Sequence, residues 1–171
     1  LRETASDHYE AIRDTIRMVA PFFDDFVLRP LPGNENKIRL EWHERGSDYP
    51  FLAHYLSDGT LRFMCLATLL LQPQLPSTVL IDEPELGLHP YAITVLASLM
   101  RSAATRTQVI VSTQSVSLVN QFEPQDLLIV EREDQATVIK RVDPERLSEW
   151  LEEYSLGDLW EKNVLGGRPS R

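Results

Sequence analysis

The sequence predicts an α/β fold, with a largely parallel sheet flanked by helices and preceded by an N-terminal helix and antiparallel strands. Residues 78–81 and 108–111 are short apolar segments without alternation, and residues 91–104 form a helical segment between them. Such segments are typical of strands in a parallel sheet that is covered on both faces. The helical spacing of apolar residues in segment 4–20 predicts the N-terminal helix.

Composition excludes several classes of protein. The 171 residues carry 17 Lys and Arg against 26 Asp and Glu, a net charge of −9, which excludes a uniformly basic surface for nucleic acid or membrane. The net charge therefore gives no support for DNA as a partner, and any DNA contact would have to come from a local patch or another subunit. The only cysteine, Cys65, excludes an internal disulfide, favours a cytoplasmic location, and is expected to be a small core residue. The apolar run 63–71 is too short to span a membrane.

Residues 1–54 are expected to form a helix and antiparallel strands that lead into the next segment. Pro21 ends the helix of residues 4–20. Residues 37–42 alternate between polar and apolar side chains, which predicts one half-buried strand with Ile38, Leu40 and Trp42 on its buried face.

Residues 55–142 contain the segments of the parallel sheet. A helix over residues 61–71, buried on most sides, precedes the first apolar strand. Two later strands, at 127–131 and 137–142, flank a polar turn at 133–135. Helices are expected in the remaining residues, 143–171, where Asp143 caps a helix that begins at Pro144.

Two adjacent acids, Asp82 and Glu83, follow the first apolar strand. Ligands of parallel sheets bind beyond the carboxyl ends of the strands, and neighbouring carboxylates are costly to desolvate without a cation. Asp82 is therefore a candidate Mg²⁺ ligand, and Glu83 a candidate to orient and deprotonate a water. An acidic loop that caps the next helix is the alternative interpretation.

A second candidate site precedes the helix of residues 61–71. Ser57 and Gly59 would give a helix N-terminus a hydroxyl, free N–H groups and close backbone approach, which favours an anion such as phosphate. The alternative is plain N-capping by Ser57 or Asp58.

Three motifs in order resemble those of ABC-type ATPases: LSDGT at 56–60, TVLIDEPELGLHP at 78–90 and VIVSTQS at 109–115. They are most similar to the RecF/SMC/OLD-like group of predicted AAA-family ATPases. The resemblance implies the C-terminal part of a P-loop NTPase of the ABC type, with ATP and Mg²⁺ as cofactors.

The resemblance also implies roles for individual residues. Ser57 and Gly59 match the signature motif, which touches the γ-phosphate of a nucleotide held by the opposite subunit. Asp82 matches the Walker B aspartate that binds magnesium, and Glu83 matches the glutamate that activates water.

Two further motif positions follow from the resemblance. Residues 85–89 match the D-loop, which crosses the dimer interface. Gln114 stands where the family usually has the switch histidine; glutamine hydrogen-bonds a phosphate or a water but cannot gain a proton as histidine can.

The phosphate-binding loop of the family, Gly-x-x-x-x-Gly-Lys-Ser/Thr, does not occur in the 171 residues. Because this loop lies near the N-terminus in the family and residue 1 is Leu, we expect the chain to be the C-terminal portion of a longer ATPase. Its N-terminal Walker A region would be the first partner, and the 171 residues alone would hydrolyse ATP negligibly.

The preferred function is therefore ATP binding and hydrolysis by a cytoplasmic, head-to-tail homodimer without membrane attachment. One alternative is a non-hydrolysing binding or regulatory module that retains the fold. The other is a DNA-repair or phage-defence ATPase subunit.

Overall fold

The structure, a computed structural model, describes residues 1–167 and divides the chain into two compact units, Leu1–Ser112 and Thr113–Arg171. Both units mix helices with strands, which confirms the predicted α/β class. Residues 168–171, the end of the predicted segment 143–171, lie outside the described residues. Of the helices in residues 1–167, none has the length and apolar character needed to cross a bilayer.

The first unit has three helices, seven strands and a short 3-10 helix among its described residues. In chain order these are α1 (Ser6–Val19), β1 (Phe23–Val27), β2 (Pro30–Leu31), β3 (Asn34–Ile38), β4 (Glu41–Glu44), β5 (Pro50–Leu52), the 3-10 helix Ala53–Tyr55, α2 (Asp58–Leu71), β6 (Thr78–Asp82), α3 (Pro90–Ala104) and β7 (Gln108–Ser112).

Three helices form the core of the first unit, because α1 packs on α2 and α2 packs on α3. The hydroxyl of Tyr9 on α1 donates to Asp25 Oδ1 at 2.6 Å, and burial together with this bond raises the pKa of Tyr9 to about 12. Helix α2 is buried on most sides, as predicted. The expectation that Cys65 is a core residue is wrong, since it lies on the solvent-facing strip of α2.

A parallel pair of strands, β6 and β7, carries the site. They pair in register from Thr78 opposite Gln108 to Asp82 opposite Ser112, which confirms the predicted parallel arrangement. The other strands of this unit form an antiparallel sheet in the order β1-β4-β5 and a separate β2–β3 ribbon.

The interpretation that both faces of the two apolar strands are covered is wrong for residues 1–167, although the sheet-and-helix fold class holds. Val79 and Ile81 are buried, at 4% and 9% exposure, whereas Leu80 is 77% exposed and Ile110 is 43% exposed. Side chains alternate between the two faces of a strand, so one face packs against the unit's core and the other lies open.

The single strand predicted over residues 37–42 is also wrong. Strand β3 ends at Ile38 and pairs with β2, whereas β4 begins at Glu41 and pairs with β1 and β5. Ile38 and Leu40 are therefore exposed, and only Trp42 of the three predicted apolar residues is buried.

The second unit contains α4 (Val116–Val119), the 3-10 helix Pro124–Asp126, β8 (Leu128–Glu133), β9 (Ala136–Arg141), α5 (Pro144–Leu151) and α6 (Leu156–Glu161). Strands β8 and β9 form the predicted hairpin, and Asp134 and Gln135 turn it with positive φ angles of 48° and 66°. The Asp143 carboxylate accepts the Glu145 N–H at 3.1 Å and caps α5, as predicted. A buried cluster of this unit contains Val119, Leu147, Leu156 and Leu159.

Candidate functional site

The predicted acids lie at the carboxyl edge of the parallel strands. Asp82 is the last residue of β6 and pairs with Ser112, the last residue of β7. The Ser112 hydroxyl donates to Asp82 Oδ1. This bond orients the Asp82 carboxylate at the carboxyl edge of the strands.

Glu83 has an unusual backbone conformation. Its φ angle is +44°, in the left-handed region that residues with a Cβ seldom adopt. The Glu83 N–H donates to the Ser112 carbonyl at 3.0 Å, and its own carbonyl accepts the Leu86 N–H at 3.2 Å. The chain therefore leaves β6 in a tight turn, in which the Glu83 side chain is half-buried.

The loop after the acids leads into α3. Glu85 is 8% exposed, and Pro84 is fully buried. The N-cap of α3 is His89, whose Nδ1 accepts the Tyr91 N–H at 3.2 Å, and Pro90 occupies the first turn. The acid pair does not cap this helix, contrary to the alternative interpretation of the sequence.

The signature-like motif forms the start of α2. Ser57 is the N-cap: its Oγ accepts the Thr60 N–H at 3.1 Å and lies 2.8 Å from Thr60 Oγ1. The capping interpretation is therefore confirmed. When Thr60 Oγ1 donates to Ser57 Oγ, the serine proton is left for an anion in front of the helix, so capping and anion binding are compatible.

Gly59 joins the start of α2 to the loop between β6 and α3. A Cβ at this position would lie 2.1 Å from the Gly87 carbonyl oxygen, and Gly87 itself has a φ angle of +79°. The two predicted motifs, 56–60 and 85–89, are thus in direct backbone contact within one chain.

Arg62 is a site residue that the sequence analysis missed. Its Nη1 donates to the main-chain carbonyl of Glu83 at 3.1 Å. The available signal was a single charged residue within the otherwise apolar helix of residues 61–71. That pattern alone predicts a solvated side chain and not a contact with an acid that is 21 positions away.

Gln114 belongs to the second unit, in the exposed loop between β7 and α4. Thr113 Oγ1 accepts the Ser115 N–H at 2.9 Å, and Ser115 Oγ accepts the Leu118 N–H at 3.2 Å as the N-cap of α4. The approach of Gln114 to the acid pair stays a prediction.

The donor set at the edge suits Mg²⁺ only as a partial site. Asp82 and Ser112 offer hard oxygen atoms, and no group of three or more His, Cys, Asp or Glu residues in residues 1–167 could hold a metal by itself. Mg²⁺ is commonly held by one or two carboxylates together with waters and the phosphates of a substrate. The arrangement therefore fits an ion that arrives with a nucleotide.

Solved structures of SMC head domains resemble the chain in fold. The Smc head with an extended coiled coil from Pyrococcus furiosus, bound to the C-terminal domain of ScpA, aligns with a TM-score of 0.65 at 17% identity over 89% of this chain and 38% of that chain. The SMC head domain from Thermotoga maritima gives 0.54 at 17% identity over 82% and 49%.

A third structure comes from work described as structural biochemistry of ATP-driven dimerization and DNA-stimulated activation of SMC ATPases. It gives a TM-score of 0.55 at 18% identity over 90% of this chain and 96% of that chain. The chain thus spans less than half the length of the Pyrococcus furiosus and Thermotoga maritima chains. At these identities the likeness shows the fold, which is the P-loop NTPase fold that the motifs implied.

The family assignment follows from the sequence itself. None of the curated proteins matches the chain at a significant level. A family model described as "AAA domain, putative AbiEii toxin, Type IV TA system" matches residues 3–120, which include the signature-like motif, the acid pair and Gln114. Because this match covers more than half of the 171 residues, the chain belongs to that AAA-domain family.

Proposed function

We propose that the chain is the catalytic C-terminal portion of an ATPase that binds ATP with Mg²⁺ and hydrolyses it as a head-to-tail homodimer in the cytoplasm. One observation carries the proposal: Asp82 and Glu83 lie at the carboxyl edge of parallel strands, and the loop that follows them touches Gly59. In a head-to-tail dimer, the nucleotide lies between the acid edge of one copy and the start of α2 of the other.

Each site residue has a role in this proposal. Asp82 would hold the Mg²⁺, and the Ser112 hydroxyl, which donates to Asp82 Oδ1, orients that carboxylate. When bound, the ion offsets the negative charge of the phosphates. Ser57 donates its hydroxyl proton to the γ-phosphate of the nucleotide that the other copy holds, next to the free N–H groups of α2.

Glu83 accepts a proton from the attacking water at its carboxylate. As the water oxygen forms its bond to the γ-phosphorus, the bond from that phosphorus to the ADP oxygen breaks, giving ADP and phosphate. The proton then passes from Glu83 to solvent, so the residue is restored. The family resemblance assigns Gln114 a hydrogen bond to the γ-phosphate or the water.

Another segment has to complete the site, because the 171 residues lack a phosphate-binding loop. We propose that this segment covers the open face that Leu80 and Ile110 leave on the parallel strands. Closing this face removes apolar side chains from water while it brings the phosphate-binding loop to the acid edge.

The test is Glu83→Gln in the intact protein that includes its phosphate-binding segment. We expect hydrolysis to fall by about 100-fold or more, because a general base contributes about 10²–10⁴-fold. ATP binding should persist, so an ATP-bound dimer should accumulate in light scattering after size exclusion. Glu35→Gln, which makes the same change on the exposed strand β3, is the control and should hydrolyse like the wild type. A Glu83→Gln protein that turns over ATP at the wild-type rate would remove Glu83 from this role.

Gln114 favours a second candidate, a non-hydrolysing binding or regulatory module. Glutamine cannot take up a proton, so the site would bind ATP without efficient turnover. The wild-type protein distinguishes the two candidates: ATP-dependent dimerisation without phosphate release supports the module, and phosphate release supports the enzyme.

A role in DNA repair or phage defence would require a DNA-binding surface, for which the net charge of −9 gives no support. Binding of DNA by the intact protein that weakens steeply as salt rises would establish such a surface.

A further inference from the structure

The backbone of Glu83 has to be held in place by its surroundings. With a φ angle of +44°, Glu83 occupies the left-handed region, where a Cβ approaches the following carbonyl. Such a conformation persists only where neighbouring groups over-determine it. The position of the proposed base therefore depends on the contacts that hold its two peptide groups.

Hydrogen bonds with Ser112, Leu86 and Arg62 hold those peptide groups. The Glu83 N–H donates to the Ser112 carbonyl at 3.0 Å, and the Leu86 N–H donates to the Glu83 carbonyl at 3.2 Å. The third donor is Arg62 Nη1, 3.1 Å from the same Glu83 carbonyl oxygen. Of these three bonds, the Arg62 bond alone comes from a side chain, so a substitution removes it without altering the main chain.

Arg62 also belongs to the helix that begins at Ser57. It follows Gly59 by three positions, and Gly59 contacts Gly87 four positions after Glu83. The first turns of α2 thus contact the loop after β6 at two places, the Glu83 carbonyl and Gly87. A displacement of the start of α2 would reach Glu83 through the guanidinium and Gly87 through the backbone contact.

We propose that Arg62 is a positioning residue that fixes Glu83 and links it to the start of α2 in the same chain. This inference rests on the proposed function, in which Ser57 serves the nucleotide of the other copy and Glu83 serves the nucleotide of its own. Binding of the γ-phosphate at one site thereby stabilises the productive position of Glu83 at the neighbouring site of the dimer.

The kinetic test compares Arg62→Gln and Arg62→Lys with a matched control, Arg106→Gln, in the intact protein with its phosphate-binding segment. Arg106 donates to the carbonyls of Leu70 and Gln72 at the other end of α2, so its loss removes similar bonds far from Glu83. We expect Arg62→Gln to lower kcat by about tenfold or more, since small misplacements of a catalytic group cost up to about 10²-fold.

The KM for ATP should stay within about twofold in Arg62→Gln, because binding contacts remain. Arg62→Lys should recover part of the rate, because lysine keeps a cationic donor of similar reach. If Arg62→Gln and Arg106→Gln show the same kcat while wild-type hydrolysis is intact, the inference is wrong and the proposed function stands.

A second measurement uses the 171-residue chain without nucleotide. Hydrogen exchange at the amides of Glu83 and Leu86 should quicken in Arg62→Gln and stay unchanged in Arg106→Gln. This result supports the link even if the wild-type protein fails to hydrolyse ATP, which would overturn the proposed function alone. Unchanged exchange at both amides in Arg62→Gln overturns the positioning role, and Arg62→Met, which has no donor, provides the same comparison if the glutamine variant does not fold.

Discussion

At the scale of single residues, the contact between Gly59 and Gly87 leads to a prediction about stability. In an isolated helix, Gly59→Ala would be stabilising by about 1 kcal/mol. Here the new Cβ would lie 2.1 Å from a carbonyl oxygen that cannot rotate away. Because overpacking costs about 1–3 kcal/mol, we expect Gly59→Ala to lower the free energy of unfolding by roughly 1–2 kcal/mol in urea titrations.

Nuclear magnetic resonance supplies the control for this residue. The Gly87 amide resonance should shift in Gly59→Ala and stay in place in Gly46→Ala, whose Cβ meets no atom within 4 Å. A Gly59→Ala chain more stable than the wild type would show that the loop does not lie against α2.

The sequence predicted the positions of single residues correctly where the signal lies in their immediate neighbours. Asp82 and Glu83 follow an apolar strand, and Ser57 precedes a helix, so local pattern placed them at a strand end and at an N-cap. Arg62 escaped prediction because its partner is distant in sequence, and no local pattern encodes a bond between a guanidinium and a remote carbonyl. The nucleotide-binding roles of the predicted residues remain predictions.

At the scale of elements, α6 depends on a capping box that responds to acid. The Ser155 hydroxyl donates to Asp158 Oδ2 at 2.6 Å and the Ser155 N–H donates to the same atom at 3.0 Å. These bonds, with the side-chain bond foremost, lower the pKa of Asp158 below its ordinary value of 3.8. The stabilisation is therefore complete above the unfolded-state pKa and is lost as pH falls through the folded-state pKa.

Thermal unfolding from about pH 5 to about pH 2 tests this element. The wild type should lose more stability over that range than Asp158→Asn, and the two curves should converge at the acid end. Asp48→Asn, at an exposed position, should follow the wild type. Parallel curves for the wild type and Asp158→Asn would contradict the proposed role of the carboxylate in the cap.

The prediction of elements failed where one alternating segment is divided between two strands that pair with different partners. Alternation over residues 37–42 is compatible with a single strand, but the chain leaves the β2–β3 ribbon after Ile38 and joins another sheet at Glu41. Strand partners are set by contacts far along the chain, which alternation does not encode. Helices α2 and α3 were predicted well, because their caps, prolines and apolar faces are local.

At the scale of the whole molecule, we expect the 171-residue chain to show negligible ATP hydrolysis. Without the backbone amides and lysine of a phosphate-binding loop, it lacks most of the contacts that hold a triphosphate. We expect phosphate release by the purified chain to equal that of Glu83→Gln in the same chain. Turnover clearly above that variant would mean that the chain contains a complete site.

The α/β class and the parallel pairing of β6 with β7 were predictable, because continuous apolar segments separated by a helix leave few topologies. The open face was not predictable from the same segments. An apolar strand has the same sequence whether its second face is covered by the same chain or by another segment. The pattern therefore indicates that the face is covered but does not identify the segment that covers it.

Because the side chains of Leu80 and Ile110 are exposed, the stability of the folded chain depends in part on the segment that covers them. A segment that covers this face binds the folded chain and not the unfolded one. Its binding therefore raises the free energy of unfolding by mass action. A melting temperature recorded on the chain alone is then a lower bound, and it rises when the covering segment is added as a separate peptide or is joined to the chain.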